Sequence, residues 1–408
     1  MLDALNSGER ARVSAYVKKY QPRGGDGLVD HLLDLRRDSG GFELVRIEHA
    51  QRLAIDFVVD ARSGPTTWLA HLEVSDGRPP QVVEVEREEI ARGGSVARPS
   101  VTVDAATRAR VVDGIARRIL EWYVYPEVAT TMADALRAHE TLGDYDAITD
   151  GYKLARALNS TLHDVNRDSH LGVQCSAQKQ PQDAPREPPP LDSEPALDEQ
   201  WQKDLLRDNC GVRQVDRLEG NIGYLKLDFL GPPSVCAPTV SAAMNLVAHV
   251  DALIIDLREN GGGAPRMVAW LSSYLFDARA HLNDLYERKR NRTVEFWTRA
   301  DVPGAKLGGK VPVYVLTAKR TFSGGEELTY DLKYLKRATI VGESTGGGAH
   351  PTAGLRVDDH FVVSVPFARA VNPITKTDWE GTGVAPDVDV PADQALEVAK
   401  KLAAAAIR

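Results

Sequence analysis

Along the chain, the apolar positions change period several times, and each change marks a candidate boundary. Over residues 1–95, "NSGERARVSAYVKKY" and "GLVDHLLDLRRD" repeat apolar residues at three- and four-residue steps, which predicts two helices. Strict alternation follows in "FELVRIEHA", "RLAIDFVVDA", "TTWLAHLEVS" and "QVVEVERE", which predicts four strands. Helices followed by an antiparallel meander describe a small α+β unit, an accessory domain in which no catalytic constellation is visible. Residues 100–175 return to helical spacing and predict a helical bundle that ends in a strand at "RDSHLGVQC". Residues 176–200 hold six prolines between Pro181 and Pro195, too many for a packed element, and read as a linker.

From about residue 201 the texture becomes α/β. "GNIGYLKLDFL", "DALIIDLR", "VPVYVLT" and "ATIVGE" read as strands, and helical stretches separate them. Such alternation implies βαβ units, a largely parallel sheet and right-handed crossovers over residues 201–408. A β-rich tail, "GLRVDDHFVVSVPFARA", and a C-terminal helix close this part.

Bulk properties narrow the function. A chain of 408 residues exceeds the size of one core and calls for two or three domains. With 43% hydrophobic and 26% charged residues it has ordinary globular composition. The formal net charge of -8, with both signs interspersed, gives no basic patch for nucleic acid. No apolar run approaches a membrane span, and the opening "MLDALNSGERARV" has no signal core. That opening fits a cytoplasmic protein or an exported one whose leader is absent from the sequence, and the second is favoured. Three widely spaced cysteines, Cys175, Cys210 and Cys236, suggest three buried thiols, although one pair is free to form outside the cytosol.

Candidate chemistry sits in loops that follow strands, where open α/β sheets place their sites. "LRENGGGAP" exposes backbone N–H groups at a helix start, yet it has neither P-loop nor dinucleotide spacing. "TFSGGEE" places Ser323 at a strand-to-helix turn, where it reads first as an N-cap and second as a nucleophile. A nucleophile there needs two oxyanion donors, which Gly324 and the triple-glycine loop supply. Among ten histidines, His170, His350 and His360 lie at loop or strand edges, outside periodic faces. No tight ligand cluster such as HExxH appears, so no metal or other cofactor is expected. Glu380, in "DWEGTG", is a loop carboxylate available to orient a base.

Taken together, "GNIGYLKLDFL", "DALIIDLRENGGG", "VYVLTAKRTFSGGEE", "VGESTGGGAHP" and "VNPITKTDWEGTGVAPDVDV" resemble, in that order, the tail-specific (C-terminal processing) serine peptidases. The resemblance spans roughly residues 105–395 and is greatest to the branch with the tricorn core protease and the interphotoreceptor retinoid-binding protein. It implies a ClpP/crotonase-like spiral of ββα units behind a helical bundle, and a peptide or protein substrate. By motif, Ser323 matches the nucleophile, Gly324 and Gly262 the oxyanion amides, His170 the base, and Ser169 and Glu380 its supports. In a regular strand Ser169 and His170 would face opposite ways, and Asp168 would share the face of His170, so Asp168 stands beside Glu380 as a candidate to orient the base. Where the bacterial enzymes carry a catalytic lysine this chain has Gly348, and no PDZ domain fits between "LGVQC" and "GNIGY". Two other functions stay open on the same scaffold: a carrier of apolar ligands such as retinoids or fatty acids, and an esterase or amidase for small substrates.

Overall fold

The computed structural model describes residues 2–21, 25–50, 54–64, 66–74, 82–90, 101–182, 184–194 and 197–407. The chain divides into two compact units, residues 1–99 and 100–408.

The first unit has three helices, α1 (Leu2–Ser7), α2 (Arg10–Tyr20) and α3 (Gly25–Ser39). A meander follows, made of β1 (Phe42–Ala50), β2 (Ala54–Ala61), β3 (Thr67–Val74) and β4 (Val82–Ile90), each antiparallel to the next. Phe42, Phe57, Val59, Ala61 and Ala70 pack with Leu5 into a small core between sheet and helices.

The second unit opens with α4 (Ala105–Trp122), α5 (Pro126–Leu142) and α6 (Gly151–Val165), followed by β5 (Gly172–Cys175). Local chemistry fixes these helix ends. Asp104 and Asp150 accept the Thr107 and Lys153 amides as N-caps, Pro126 starts α5, and Gly143 ends it in a left-handed conformation. Beyond the proline-rich stretch come α7 (Glu199–Arg207), β6 (Val212–Leu218), β7 (Ile222–Leu227), α8 (Pro233–Leu246), β8 (Ala252–Asp256) and α9 (Pro265–Ser272). Next are β9 (His281–Glu287), β10 (Arg292–Trp297), β11 (Val313–Thr317), α10 (Gly324–Tyr334) and β12 (Thr339–Gly342). The chain ends with β13 (Thr352–Arg356), β14 (Phe361–Pro366), β15 (Ala368–Val371), β16 (Val388–Asp389) and α11 (Ala395–Ile407).

A six-stranded sheet, in the order β16-β12-β11-β8-β7-β6, forms the frame. Its pairs are parallel except β6–β7. β8 and β11 are buried at every residue because both faces are covered, which is why they read as unbroken apolar runs. Leu253, Ile255, Val313 and Val315 pack beneath α8, α9 and α10 on one face. Ile254, Tyr314 and Leu316 meet Ala395, Ala399 and Ala403 of α11 on the other.

The helical bundle does not stand apart. Ile115, Ile119, Leu158 and Leu162 share one core with Leu355, Phe361, Val363 and Val365 of the β13-β14-β5 sheet. Cys210 and Cys236 form a disulfide between the turn before β6 and α8, which corrects the expectation of three thiols.

Candidate active site

Parallel order brings the loops after β8, β11 and β12 side by side at the carboxyl ends of their strands. Around them lies a cavity of about 500 Å³, lined mostly by apolar side chains. Ser323, Gly324, Gly263, His170 and His350 all open onto it.

Ser323 has φ 51° and ψ -119°, a conformation few non-glycine residues adopt, and such strain costs on the order of 1–3 kcal/mol. Four hydrogen bonds hold the turn. The Ser323 N–H donates to Glu326 Oε2 at 2.8 Å, so the glutamate reaches back to the residue that precedes its own helix. The same carboxylate accepts the Gly347 and Gly348 amides at 2.7 and 2.8 Å, tying the turn to the loop after β12. The Phe322 N–H donates to the Asn260 carbonyl at 2.9 Å, tying it to the loop after β8. Ser323 is therefore both the residue that starts α10 and a side chain presented at a strained corner.

The loop after β8 needs its glycines. A Cβ on Gly263 would lie 2.1 Å from the Leu230 carbonyl oxygen, and one on Gly262 would lie 2.7 Å from Ser323 Cβ; both have positive φ. The Gly262 N–H is already committed to Asn260 Oδ1 at 2.9 Å. Gly263 bridges to Leu230 through the Gly262 carbonyl and the Ala264 N–H, which leaves its own amide out of the ladder. Gly263 is the glycine of this loop that, with Gly324, lines the cavity.

Asp168, Ser169 and His170 occupy a turn before β5, which starts only at Gly172. The turn, rather than a strand, sets their directions: Asp168 is buried, Ser169 is exposed outside the cluster, and His170 reaches the cavity. The His170 ring packs on Phe322, the neighbour of Ser323, at 4.7 Å between centroids. A Cβ at Gly348 would stand 2.6 Å from His170 Cε1, so this histidine fits only where the chain has no side chain at 348.

The cluster contains a second histidine. His350 Nδ1 is 2.7 Å from Asp168 Oδ2 and 3.5 Å from Glu380 Oε2, while its buried Nε2 has no partner. Asp168 also accepts from the Tyr123 hydroxyl and the His170 amide, at 3.1 and 3.0 Å. Glu380 accepts the Ala349 amide at 2.6 Å. Asp168, His170 and Glu380 each place one ligand atom within 4.8 Å of the others, near enough to steer an imidazole or to share a divalent cation. His170 Nδ1 is buried without a hydrogen bond.

Charge follows from these contacts. Burial alone would raise Asp168, but the hydrogen bond and charge of His350 outweigh it and hold the carboxyl below its ordinary value. Burial works against protonated His350, yet the Asp168 contact prevails and raises it. His170 is lowered, chiefly by burial, so its neutral form is favoured. Burial, reinforced by Asp168, pushes Glu380 up to about 7.

The proline-rich segment is part of the wall. Pro189, Pro190 and Leu191 line the cavity. The segment is pinned from Arg290 to the Pro188 carbonyl, from the Leu191 amide to Glu287, and through the Arg292–Asp192 pair at 2.8 Å. Proline's fixed φ lowers the entropy lost on holding such a stretch still, so a segment unfit for helix or sheet suits a rim.

The family model described as Peptidase family S41 matches residues 221–390, and that of the N-terminal domain of Peptidase_S41 in eukaryotic IRBP matches residues 101–208. A putative tricorn protease homolog 2 of Streptomyces coelicolor is 26% identical over 209 residues, which is 49% of this chain and 16% of the relative. The chloroplastic carboxyl-terminal-processing peptidase 2 of Arabidopsis thaliana is 28% identical over 179 residues, 42% of this chain and 32% of the relative. The chain thus spans about a third or less of the curated relatives it matches. A solved putative peptidase from Parabacteroides merdae has a TM-score of 0.49 at 18% identity, covering 72% of this chain and 96% of its own. The photosystem II D1 C-terminal processing protease has a TM-score of 0.44 at 15% identity, covering 70% and 94%.

Proposed function

Because the chain belongs to peptidase family S41, we propose that it is a serine peptidase that hydrolyses peptide bonds at Ser323. The observation that carries this reading is the convergence, on one cavity, of a strained serine, two adjacent glycine amides and a histidine held neutral.

Ser323 Oγ attacks the carbonyl carbon while His170 takes its proton. The oxyanion that develops lies between the N–H groups of Gly324 and Gly263, dipoles fixed before the substrate arrives. His170 then gives the proton to the leaving amine. Water repeats the cycle on the acyl-enzyme and releases the acid. Without a direct hydrogen bond to its Nδ1, His170 relies on packing against Phe322 for orientation. The nearby carboxylates of Asp168 and Glu380 stabilise the imidazolium at longer range.

Labelling with a fluorophosphonate followed by peptide mapping tests this directly. Covalent capture at Ser323, with peptide hydrolysis lost by about 10³-fold or more in Ser323→Ala, is the expected result. Saturable binding of a fluorescent fatty acid with no labelling would identify a carrier of apolar ligands instead. Labelling with ester turnover but no peptide turnover would identify an esterase.

A further inference from the structure

Ser323, Glu327 and Asp331 follow one another at four-residue steps, so they share one face of α10. Glu327 lines the cavity and is 4% exposed; Asp331, one turn further along, is fully buried. Neither oxygen of Asp331 has a hydrogen-bond partner. Glu327 receives one long contact, 3.4 Å from Asn283 Nδ2, and Asn283 itself is fully buried with its Oδ1 unpartnered. Three buried acceptor-bearing side chains, Glu327, Asp331 and Asn283, therefore have almost no donors, and the first of them lines the cavity.

Other buried acids of this unit are compensated. Asp168 has His350, Asp256 has Arg258 and Tyr224, Glu287 has Arg290 and Arg292, and Glu326 has backbone amides. Burying an uncompensated carboxylate is expensive, and proteins normally pair it or keep it protonated. Burial raises both carboxyls here, Glu327 to about 7. Two buried carboxyls with no counter-charge beside the nucleophile make a receptor for a cation.

We propose that Glu327, backed by Asp331 and Asn283, selects a lysine or arginine side chain on the residue whose carbonyl Ser323 attacks. The proposal rests on the peptidase reading of Ser323. One helical turn separates serine from glutamate, about 6 Å along one face, which suits a long side chain lying along the helix. The neighbouring wall is apolar, with Leu285, Phe296 and Trp379, and it covers the methylene stem while the head meets the carboxylate. On entry the ammonium or guanidinium displaces the carboxyl proton to solvent, and the ion pair forms at a buried carboxylate.

The test uses matched fluorogenic peptides that differ only at that residue, carrying lysine, arginine, norleucine or glutamine. For the parent chain, kcat/KM for lysine and arginine should exceed that for norleucine by at least 30-fold, and Glu327→Gln should bring the ratio below 3. Asp331→Asn should lower it by a smaller factor. A parent enzyme that prefers norleucine or glutamine, or a ratio unmoved by Glu327→Gln, overturns the proposal. Binding separates this from failure of the peptidase reading. Fluorescent p-aminobenzamidine should saturate Ser323→Ala protein and lose at least tenfold affinity when Glu327→Gln is added. No saturable binding, or equal binding to both proteins, overturns the cation site whatever the catalytic outcome. If no peptide is cut while this binding holds, the peptidase reading alone fails.

Discussion

Two clusters of buried charge line the same cavity, and they solve the burial problem in opposite ways. In the histidine cluster, Asp168 is held ionised because His350 supplies a cation 2.7 Å away. On α10, Glu327 and Asp331 are equally buried without a cation, and burial raises them. The acids are alike, so the difference comes from their neighbours. A compensated acid can act as a fixed charge in the chemistry. An uncompensated one leaves its charge to be completed by whatever enters.

The largest effect should come from separating the two histidines. His170→Ala is expected to lower kcat/KM by about 10³-fold or more, the scale of a lost general base, and His350→Ala by a smaller factor. Steady-state kinetics on one peptide decides it, and the reverse order would make His350 the base. The pH profile sharpens the same point. His170 is lowered from its ordinary value of 6.5, so the neutral form predominates at that pH and the midpoint of the acid limb of kcat/KM should lie below it. A limb well above 6.5 would move the assignment to His350, which is raised, or to Glu380, near 7.

A middle-sized effect tests the compensated cluster. Asp168→Asn removes the carboxylate under His350 and is expected to cost about 2 kcal/mol of folding stability. Asp168 is depressed in the fold, so its share of stability is present above its unfolded value and lost as pH falls through its folded one. His350 is raised, so its share is present below its unfolded value and lost as pH rises through its folded one. The pair therefore matters most between those limits, and denaturant midpoints should show a larger deficit at pH 6 than at pH 9. An equal deficit at both would mean that Asp168 is held by Tyr123 rather than by charge.

Legibility divides along the same line. The α10 side is contiguous, and "TFSGGEE" with its strand "VYVLT" displayed the serine and its glycine in one reading. The parallel strands were legible for the same reason, because β8 and β11 are short apolar runs covered on both faces. The histidine side joins a turn at 168–170 to loops at 350 and 380, residues brought together only by the sheet order. No periodicity links them, so His350 stood as one loop histidine among three. Nor could sequence show that the Asn260 carboxamide takes the Gly262 amide, since that bond depends on how the loop folds back on itself. The proline-rich segment hid its place through lack of regular structure, since rim contacts such as Arg292–Asp192 carry no local pattern.

The smallest effect should come from neutralising the uncompensated side. Asp331 has no donor for either oxygen and no cation beside it, so ionising it in the fold has nothing to repay the lost hydration. Its folded value lies above its unfolded one, so the fold is favoured while the carboxyl stays protonated and penalised as pH rises through the folded value. Asn keeps the shape and removes the titration. Asp331→Asn should therefore stabilise the protein by about 1 kcal/mol at pH 8, and by less at pH 5, where the parent carboxyl is already protonated. Denaturant unfolding at the two pH values checks this. A destabilised Asp331→Asn at pH 8 would mean that the buried acid has a cationic partner in the folded protein, and the contrast between the two clusters would collapse.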